Sequence, residues 1–439
     1  MNIVVFFFSI FSNIFQVFQV ILEKCSISYH FDDNNITEYF QRVLGNLFQF
    51  NNSPISDHTF QKGDKKIKIG LLTNEIPPII YGGVSTWIVN FINMFKNNNY
   101  FEVVPIFLAH LDSLPDECYD KYKNIRVINN HNDIQHTFHD IDICINNLWI
   151  AEDTLHSIKY LFPSLKIITV CHSLIRMENI TNLGSCYTNN FNKQETTFMD
   201  SDCVVLISKA EEQYYKLLGY GSFNTQTKVI YNSYSPRFDK CFEEGSTIDV
   251  NYNLDNPGYI GRHVPRKRPE LPLRAINILN NENVTVFNMG VDYDKYDNKY
   301  WRDLEEVYKD KLVIIPFSSN KEDKEYYWKN IGINCITGIY EPFGYTICES
   351  IDKGMPVVVS NIDGPKEIIN DVKEYVYTYE VDVDNYSNDI INISKAIQKV
   401  WDTPSSVRKN NAIMARKCLD KLRPESIVHD WENLIYEII

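Results

Sequence analysis

The stretch that decides the fold runs from residue 338 to residue 367 and reads GIYEPFGYTICESIDKGMPVVVSNIDGPKE. Two glutamates, Glu341 and Glu349, lie eight residues apart in it, and a helix pattern begins between them at Gly344. A Gly-Met-Pro turn follows, and then the apolar run Val357–Val359, which is typical of a buried strand. The stretch therefore predicts a strand, a loop, a helix, a tight turn and a second strand.

The loop before this helix has the chemistry of a site for an anion and a diol. A helix N-terminus attracts anions because its free N–H groups and the positive end of its dipole point outward. Glu341 stands before that N-terminus and Glu349 follows along the helix, so both carboxylates can accept hydrogen bonds from vicinal hydroxyls. A site for phosphate and diols together indicates a sugar nucleotide, and we predict that class of ligand.

The same stretch resembles the donor-site signature of the retaining GT-B glycosyltransferases of family 4. The matching elements are Glu341, Phe343, Gly344, Glu349, Gly354, Pro356, Gly364 and Glu367. The resemblance implies an α/β fold of GT-B architecture, in which two Rossmann-like domains face each other across a cleft. An ordinary strand–helix–strand unit with solvated glutamates is the alternative.

Composition sets outer bounds on these expectations. The 439 residues are enough for two domains and an extension, and 44% hydrophobic with 23% charged residues is typical of a globular protein. A net charge of −14 argues against nucleic acid as a partner, since phosphate backbones need a basic surface. Ten cysteines without a C-x-x-C pair predict reduced thiols, no zinc site and a cytoplasmic protein.

Residues 1–65 are predicted to form an N-terminal helical extension. Residues 1–22 carry no charged side chain and are long enough for one membrane span, but polar residues recur among them at helical spacing. That stripe favours a helix at the membrane surface, or one docked on the protein itself or on a partner. The protein is therefore expected to be cytoplasmic, with possible peripheral membrane contact through residues 1–22.

Short aliphatic and β-branched runs predict the strands of the two domains. In the first domain, residues 66–235, they lie at 66–73, 102–107, 125–128, 141–145, 166–171, 202–207 and 228–231. In the second, residues 236–415, they lie at 258–261, 284–290, 312–317, 332–337 and 357–359. Residues 416–439 include an amphipathic helix, which the resemblance implies crosses back to the first domain.

Two features of the first domain point toward a ligand. Gly82 and Gly83 precede a helix after the first strand, where adjacent glycines let a backbone approach a ligand closely. His172 directly follows the strand that ends at residue 171, and ligands bind outside the carboxyl ends of strands in open α/β sheets. The resemblance implies that the glycine loop lies beside the donor diphosphate and that His172 faces the donor sugar.

A cluster of cations marks the second domain. Arg262, Arg266, Lys267 and Arg268 stand before a predicted helix N-terminus, where positive charge is unfavourable. An acidic chain that gathers cations there is expected to bind an anion. The cluster also resembles the family's G-R-x-x-x-x-K signature, which implies that Arg262 and Lys267 bind the donor pyrophosphate and offset the charge of the departing diphosphate.

The resemblance implies transfer of a hexosyl group, with retention, from a UDP- or GDP-linked sugar to a glycan, lipid or protein-glycan acceptor. We expect no cofactor and no metal, and we reject Asp382-x-Asp384 as a metal motif because it is far from the other motifs. The implied catalytic residues are His172, Arg262, Lys267 and Glu341. The implied donor-binding residues are Gly82, Gly83, Arg262, Lys267, Phe343, Gly344, Tyr345, Thr346 and Glu349. The alternatives are an inert glycosyltransferase-like protein that binds sugar nucleotides and, less favoured without G-x-G-x-x-G, an NAD-dependent oxidoreductase.

Overall fold

Two parallel β-sheets form the framework of the protein. The computed structural model describes residues 65–439 apart from 81, 110–113, 183–189, 243–249, 292–297, 317 and 319. Residues 1–64, with the predicted helical extension and its membrane contact, lie outside the described residues. Among the described helices, none has both the length and the apolar character needed to cross a membrane.

The first sheet has seven strands in the order β3-β2-β1-β4-β5-β6-β7. Its strands are β1 (Ile67–Thr73), β2 (Phe101–Leu108), β3 (Arg126–Ile128), β4 (Ile143–Asn146), β5 (Lys166–Cys171), β6 (Cys203–Leu206) and β7 (Gln226–Val229). Strands covered by helices on both faces read as continuous apolar runs, and β4 and β6 are buried along their whole length. The order of the strands reverses between β1 and β4, so a ligand site is expected at their carboxyl ends.

The second sheet has six strands in the order β10-β9-β8-β11-β12-β13. Its strands are β8 (Pro257–Ile260), β9 (Val286–Val291), β10 (Leu312–Pro316), β11 (Ile333–Ile336), β12 (Val357–Ser360) and β13 (Tyr377–Tyr379). The order reverses between β8 and β11, which puts the predicted cation and glutamate motifs at one switch point. β13 was not predicted from the sequence, because it is three residues long and its central residue is exposed.

Helices connect the parallel strands. In the first half they are α1 (Gly83–Phe95), α2 (Asp116–Lys121), α3 (Asp133–Phe138), α4 (Glu152–Leu161), α5 (Ile175–Thr181), α6 (Phe191–Met199) and α7 (Lys209–Leu217). In the second half they are α8 (Leu271–Leu279), α9 (Asn298–Val307), α10 (Lys321–Asn330), α11 (Tyr345–Asp352), α12 (Asp363–Ile369), α13 (Tyr386–Asp402), α14 (Ser405–Ala415) and α15 (Pro424–Ile438).

The last helix, α15, packs on the first helix of the first sheet. Trp431 is 1% exposed, and its ring lies edge-on to Trp87 at 5.9 Å and to Phe91 at 5.2 Å between centroids. Asn98, after α1, donates a hydrogen bond of 2.7 Å to Glu432. The apolar stripe of α15 is therefore buried against residues more than 300 positions earlier in the chain.

Candidate active site

The N-termini of α1 and α11 meet where the two sheets come together. A Cβ atom built on Gly83 would lie 3.8 Å from the ring of Tyr345. The N–H of Gly82 is bound locally, since it donates to Ser85 Oγ at 2.6 Å. The predicted glycine loop and the predicted donor helix are thus close together, although more than 250 residues separate them in the chain.

Gly344 opens α11 with a φ of +104°, a left-handed backbone that favours glycine. Thr346 follows in the first turn and is partly exposed. Phe343 is only 3% exposed and packs in the hydrophobic core, with its ring 5.1 Å from that of Tyr345. The Tyr345 hydroxyl donates to the carbonyl of Ser233 at 3.3 Å. Phe343 therefore supports the loop from inside, rather than lining its surface.

Lys267 and Glu341 form an ion pair at the carboxyl ends of β8 and β11, and each side chain is 17% exposed. Burial lowers the pKa of Lys267 to about 8, although Glu341 opposes that effect. Burial acts to raise the pKa of Glu341, but Lys267, Arg266 and Arg262 together hold it below its ordinary value. The pair leaves one carboxylate and one ammonium within reach of a ligand that carries hydroxyls and phosphate.

The cation cluster divides into two parts. Arg266 is 3% exposed and forms an ion pair of 2.8 Å with Glu178, and Arg268 pairs with the fully buried Asp389. Arg266 and Arg268 thus take their partners from the protein, and they are not the two cations that the resemblance assigns to the donor pyrophosphate. Arg262 is exposed and has no ion pair among the described residues, and Lys267 faces Glu341 within the site.

Glu349 lies along α11 and is partly exposed. Burial raises the pKa of its carboxyl group; Lys324 and Arg237 oppose that effect, and Asp352 adds to it. In the described part of the chain no hydrogen-bond donor reaches this carboxylate. A partly buried carboxylate of this kind gains stability from any ligand hydroxyl that donates to it.

His172 faces the same region from the end of β5. Its Nε2 lies 2.6 Å from Asn147 Oδ1, and its ring lies edge-on to Trp87 at 5.3 Å. Burial lowers the pKa of His172 to about 3, so the ring is neutral at pH 7. A neutral ring that donates from Nε2 to Asn147 keeps Nδ1 as a hydrogen-bond acceptor.

Two polar residues of the site escaped the sequence analysis. Asn147 follows β4 at the switch point of the first sheet. The only sequence pattern that could have indicated Asn147 is a polar residue directly after a buried strand. Its Nδ2 is buried and has no partner within the described ranges. Glu75 follows β1 near Gly82; burial raises its pKa, while Arg262 of the second domain acts in the opposite direction.

Below the site, Tyr340 joins the two domains. Its hydroxyl donates to Glu211 at 2.8 Å and accepts the Leu174 N–H at 2.9 Å. Burial raises the pKa of Glu211 to about 8. Glu178, on α5, also belongs to this contact through Arg266, which donates to its carboxylate.

One known protein family matches the part of the chain that forms the second sheet and carries the Lys267–Glu341 pair. Residues 257–410 match the family of glycosyl transferases group 1. The glycosyl transferases group 1 match spans β8 to β13 and contains Arg262, Lys267, Glu341 and Glu349. Gly82, Gly83 and His172 lie outside it.

A similar curated protein is an uncharacterized glycosyltransferase of Methanocaldococcus jannaschii, which is 30% identical over 176 residues. The alignment covers 37% of this chain and 44% of that protein, so the chain spans less than half of the relative's length.

Solved structures show the same two-domain fold. Sucrose-phosphate synthase from Thermosynechococcus elongatus has a TM-score of 0.65 at 16% identity, covering 85% of this chain and 99% of that chain. Anabaena HepE in complex with UDP and glucose has a TM-score of 0.62 at 16% identity, covering 84% and 99%. The predicted GT-B architecture, with two Rossmann-like parallel-sheet domains, is confirmed.

The described residues contain no group of three or more His, Cys, Asp or Glu side chains arranged to hold a metal ion. In the Asp382-x-Asp384 segment, Asp382 accepts hydrogen bonds from the Asp384 and Asn385 amides and from the Asn388 side chain. Asp382 thus serves to close a turn before α13.

Proposed function

We propose that the protein is a retaining glycosyltransferase that moves a hexosyl group from a UDP- or GDP-linked sugar to a glycan or lipid acceptor. The Lys267–Glu341 pair carries the proposal, because Glu341 lies beside Gly344 at the N-terminus of α11, whose Tyr345 is close to Gly83 of the facing domain. The family match over residues 257–410 and the fold shared with a UDP-bound protein support it.

Positive charge for the leaving diphosphate would come from the chain itself. Arg262 offers a planar guanidinium for two phosphate oxygens, and Lys267 supplies a compact charge. The N–H groups at the start of α11 add a partial positive charge. Charges fixed in place before the reaction stabilise a transition state in which negative charge develops on the diphosphate. We therefore expect transfer to need neither a metal nor a cofactor.

The remaining groups would bind the two sugars of the donor. Glu349 lacks a donor from the described protein and would accept hydrogen bonds from the ribose diol. Glu341 would accept from hydroxyls of the transferred hexose while it stays paired with Lys267. His172 would accept from a hexose hydroxyl through Nδ1, since Asn147 occupies Nε2. None of these groups needs to change its charge at pH 7 for donor binding.

Turnover of the donor tests the proposal. The native chain is incubated with UDP-, GDP- and ADP-linked hexoses, with and without simple glycan and lipid acceptors, and released nucleoside diphosphate is measured. One nucleotide should be released, and the anomeric configuration of the transferred or hydrolysed sugar, read by NMR, should match that of the donor. Lys267→Ala should lower the rate by about 100-fold or more, because it removes a charge from the transition state.

The matched control is Lys395→Ala, which removes an exposed lysine on α13. It should release nucleotide at the native rate. Binding of a sugar nucleotide without any release, with every acceptor, would reject the transferase and leave an inert binding protein. Product of inverted configuration would reject retention alone.

A further inference from the structure

Asp363 has a left-handed backbone conformation, which is uncommon for residues other than glycine. It begins α12 with a φ of +43°. Such a conformation persists where its surroundings require it. The first residue of this short helix therefore has a reason to be an aspartate, although glycine would adopt this backbone conformation more easily.

The side chain of Asp363 supplies that reason. Its Oδ2 accepts the backbone N–H of Glu341 at 3.1 Å, and its Oδ1 accepts the hydroxyl of Tyr214 at 2.8 Å. Tyr214 lies on α7 of the first domain, whereas Glu341 lies on the loop before α11 of the second. One carboxylate thus joins the facing domain to the backbone of the residue that we assign to the donor sugar.

The next residue holds the same peptide from its other side. The N–H of Gly364 donates to the carbonyl of Glu341 at 3.1 Å. A Cβ atom built on Gly364 would lie 2.5 Å from the backbone of Phe343, so the start of α12 is in direct contact with this loop. Both backbone groups of Glu341 are therefore bound by residues 363 and 364.

We propose that Asp363 is a positioning residue that couples contact between the two domains to the placement of Glu341 in the donor-sugar site. The inference rests on the proposed function, since it takes Glu341 to bind the hexose. When the domains are together, the Tyr214 hydroxyl fixes the Asp363 carboxylate, and that carboxylate fixes the Glu341 backbone. When Tyr214 withdraws, the loop loses one of its restraints and the hexose loses a well-placed acceptor.

The chain offers a matched control for the contact with the first domain. Tyr231, which follows β7, donates to Glu367 on the same helix α12 at 2.6 Å. Glu367 also accepts the N–H groups of Lys209 and Ala210 at the start of α7, and none of its contacts reaches Glu341. Tyr214→Phe and Tyr231→Phe therefore each remove one hydroxyl with which the first domain donates to α12. Only the Tyr214 hydroxyl binds a carboxylate that also accepts the Glu341 N–H.

The experiment measures the full-length chain and three variants: Asp363→Gly, Tyr214→Phe and Tyr231→Phe. Asp363→Gly suits a φ of +43°, so we expect it to fold. Calorimetry gives the ratio of the affinities for the sugar nucleotide and for the same nucleoside diphosphate without its sugar. The ratio isolates the hexose contacts and does not change with a loss of stability alone. Hydrogen exchange of the Glu341 amide supplies a second readout that needs no ligand.

We expect Asp363→Gly to lower the affinity ratio about tenfold and Tyr214→Phe to lower it about threefold, from the strength of single hydrogen bonds. Tyr231→Phe should change it less than about twofold, and all variants should bind the free diphosphate like the native chain. The hydrogen-exchange rate of the Glu341 amide should rise in Asp363→Gly and stay at the native value in Tyr231→Phe.

Two results would overturn the role of Asp363. One is an unchanged ratio and unchanged amide exchange in Asp363→Gly. The other is an equal loss in Tyr231→Phe and Tyr214→Phe, which would mean that any contact between the domains has the same effect. If the native chain bound no sugar nucleotide at all, the proposed function would fail, and the role of Asp363 in donor binding would fail with it. The exchange rate of the Glu341 amide would still show whether Asp363 holds the loop before α11.

Discussion

The buried carboxyl group of Glu211 should make the stability of the protein fall as the pH rises. Glu211 is fully buried, and burial raises its pKa from an ordinary value of 4.5 to about 8. Asp363 and Glu178 act in the same direction, whereas the hydrogen bond from Tyr340 and the Leu174 amide oppose it. The folded protein therefore keeps a proton on Glu211 at pH values where the unfolded chain has released it.

The sign and size follow from that difference in pKa. A carboxyl whose folded pKa is raised contributes its full stability below pH 4.5, and the contribution is lost as the pH rises through about 8. For each pH unit between 4.5 and about 8, the free energy of unfolding falls by about 1.4 kcal/mol. The whole range therefore sets an upper limit of about 5 kcal/mol on the stability that is lost.

Glu211→Gln removes the titration and keeps the shape of the side chain. The amide oxygen can still accept the Tyr340 hydroxyl, so we expect the variant to match the native chain near pH 5. At pH 8.5 it should be more stable by about 2 kcal/mol or more, which is a part of the upper limit. Thermal unfolding across pH 5–8.5 measures the effect, since about 1 kcal/mol shifts the midpoint of a domain of this size by about 2–4 °C.

Glu212→Gln is the control for this measurement. Glu212 is the neighbour of Glu211 on α7, is 28% exposed and pairs with Lys216 one turn along the helix. Its variant should follow the native curve within about 0.5 kcal/mol at every pH. Parallel curves for Glu211→Gln and the native chain would refute the account, because they would mean that Glu211 ionises normally in the folded state.

Three further predictions concern the site and the packing around it. Burial lowers the pKa of Lys267 to about 8. In calorimetric titrations, the affinity for nucleoside diphosphate should therefore be constant below pH 8 and fall by up to about tenfold for each pH unit above it. The affinity of Lys267→Arg should stay constant up to pH 9.5. Asn147→Ala should lower the kcat of donor turnover about tenfold and leave the affinity for diphosphate unchanged. Asn147→Asp should raise the pKa of His172 in NMR titrations. An unaltered kcat in Asn147→Ala would show that Asn147 does not position the His172 ring. Trp431→Ala should destabilise the folded chain by about 3–5 kcal/mol, measured by urea unfolding, and a cost below about 1 kcal/mol would contradict its packing on α1.

The sequence predicted the strands well because burial on both faces leaves an apolar run for each. β5 begins and ends at the predicted residues, and the ends of the other predicted strands lie within two positions of the prediction. β13 was missed, since a strand of three residues at the edge of a sheet leaves too short a pattern. The motif stretch folds as predicted, with α11 between β11 and β12.

The partners of charged groups could not be predicted in the same way. Arg266 and Arg268 belong to the cation cluster that predicts an anion site, yet their carboxylates come from Glu178 and Asp389, 88 and 121 positions away. Sequence spacing reports neighbours on one element, whereas these contacts depend on how the domains meet. The same reason hid Glu211, whose partner Tyr340 lies 129 positions further along.

The measurement that tests the central claim most directly is calorimetric titration of UDP, GDP and ADP into the full-length chain and into Lys267→Ala at pH 7. Lys267 is predicted to bind the diphosphate, and a hydrogen bond between charged groups contributes about 1.5–3 kcal/mol. We predict that one of these nucleotides binds the native chain with one equivalent and that the variant binds it at least about tenfold more weakly. No binding to the folded native chain, or equal binding to Lys267→Ala, would contradict the assignment of the site.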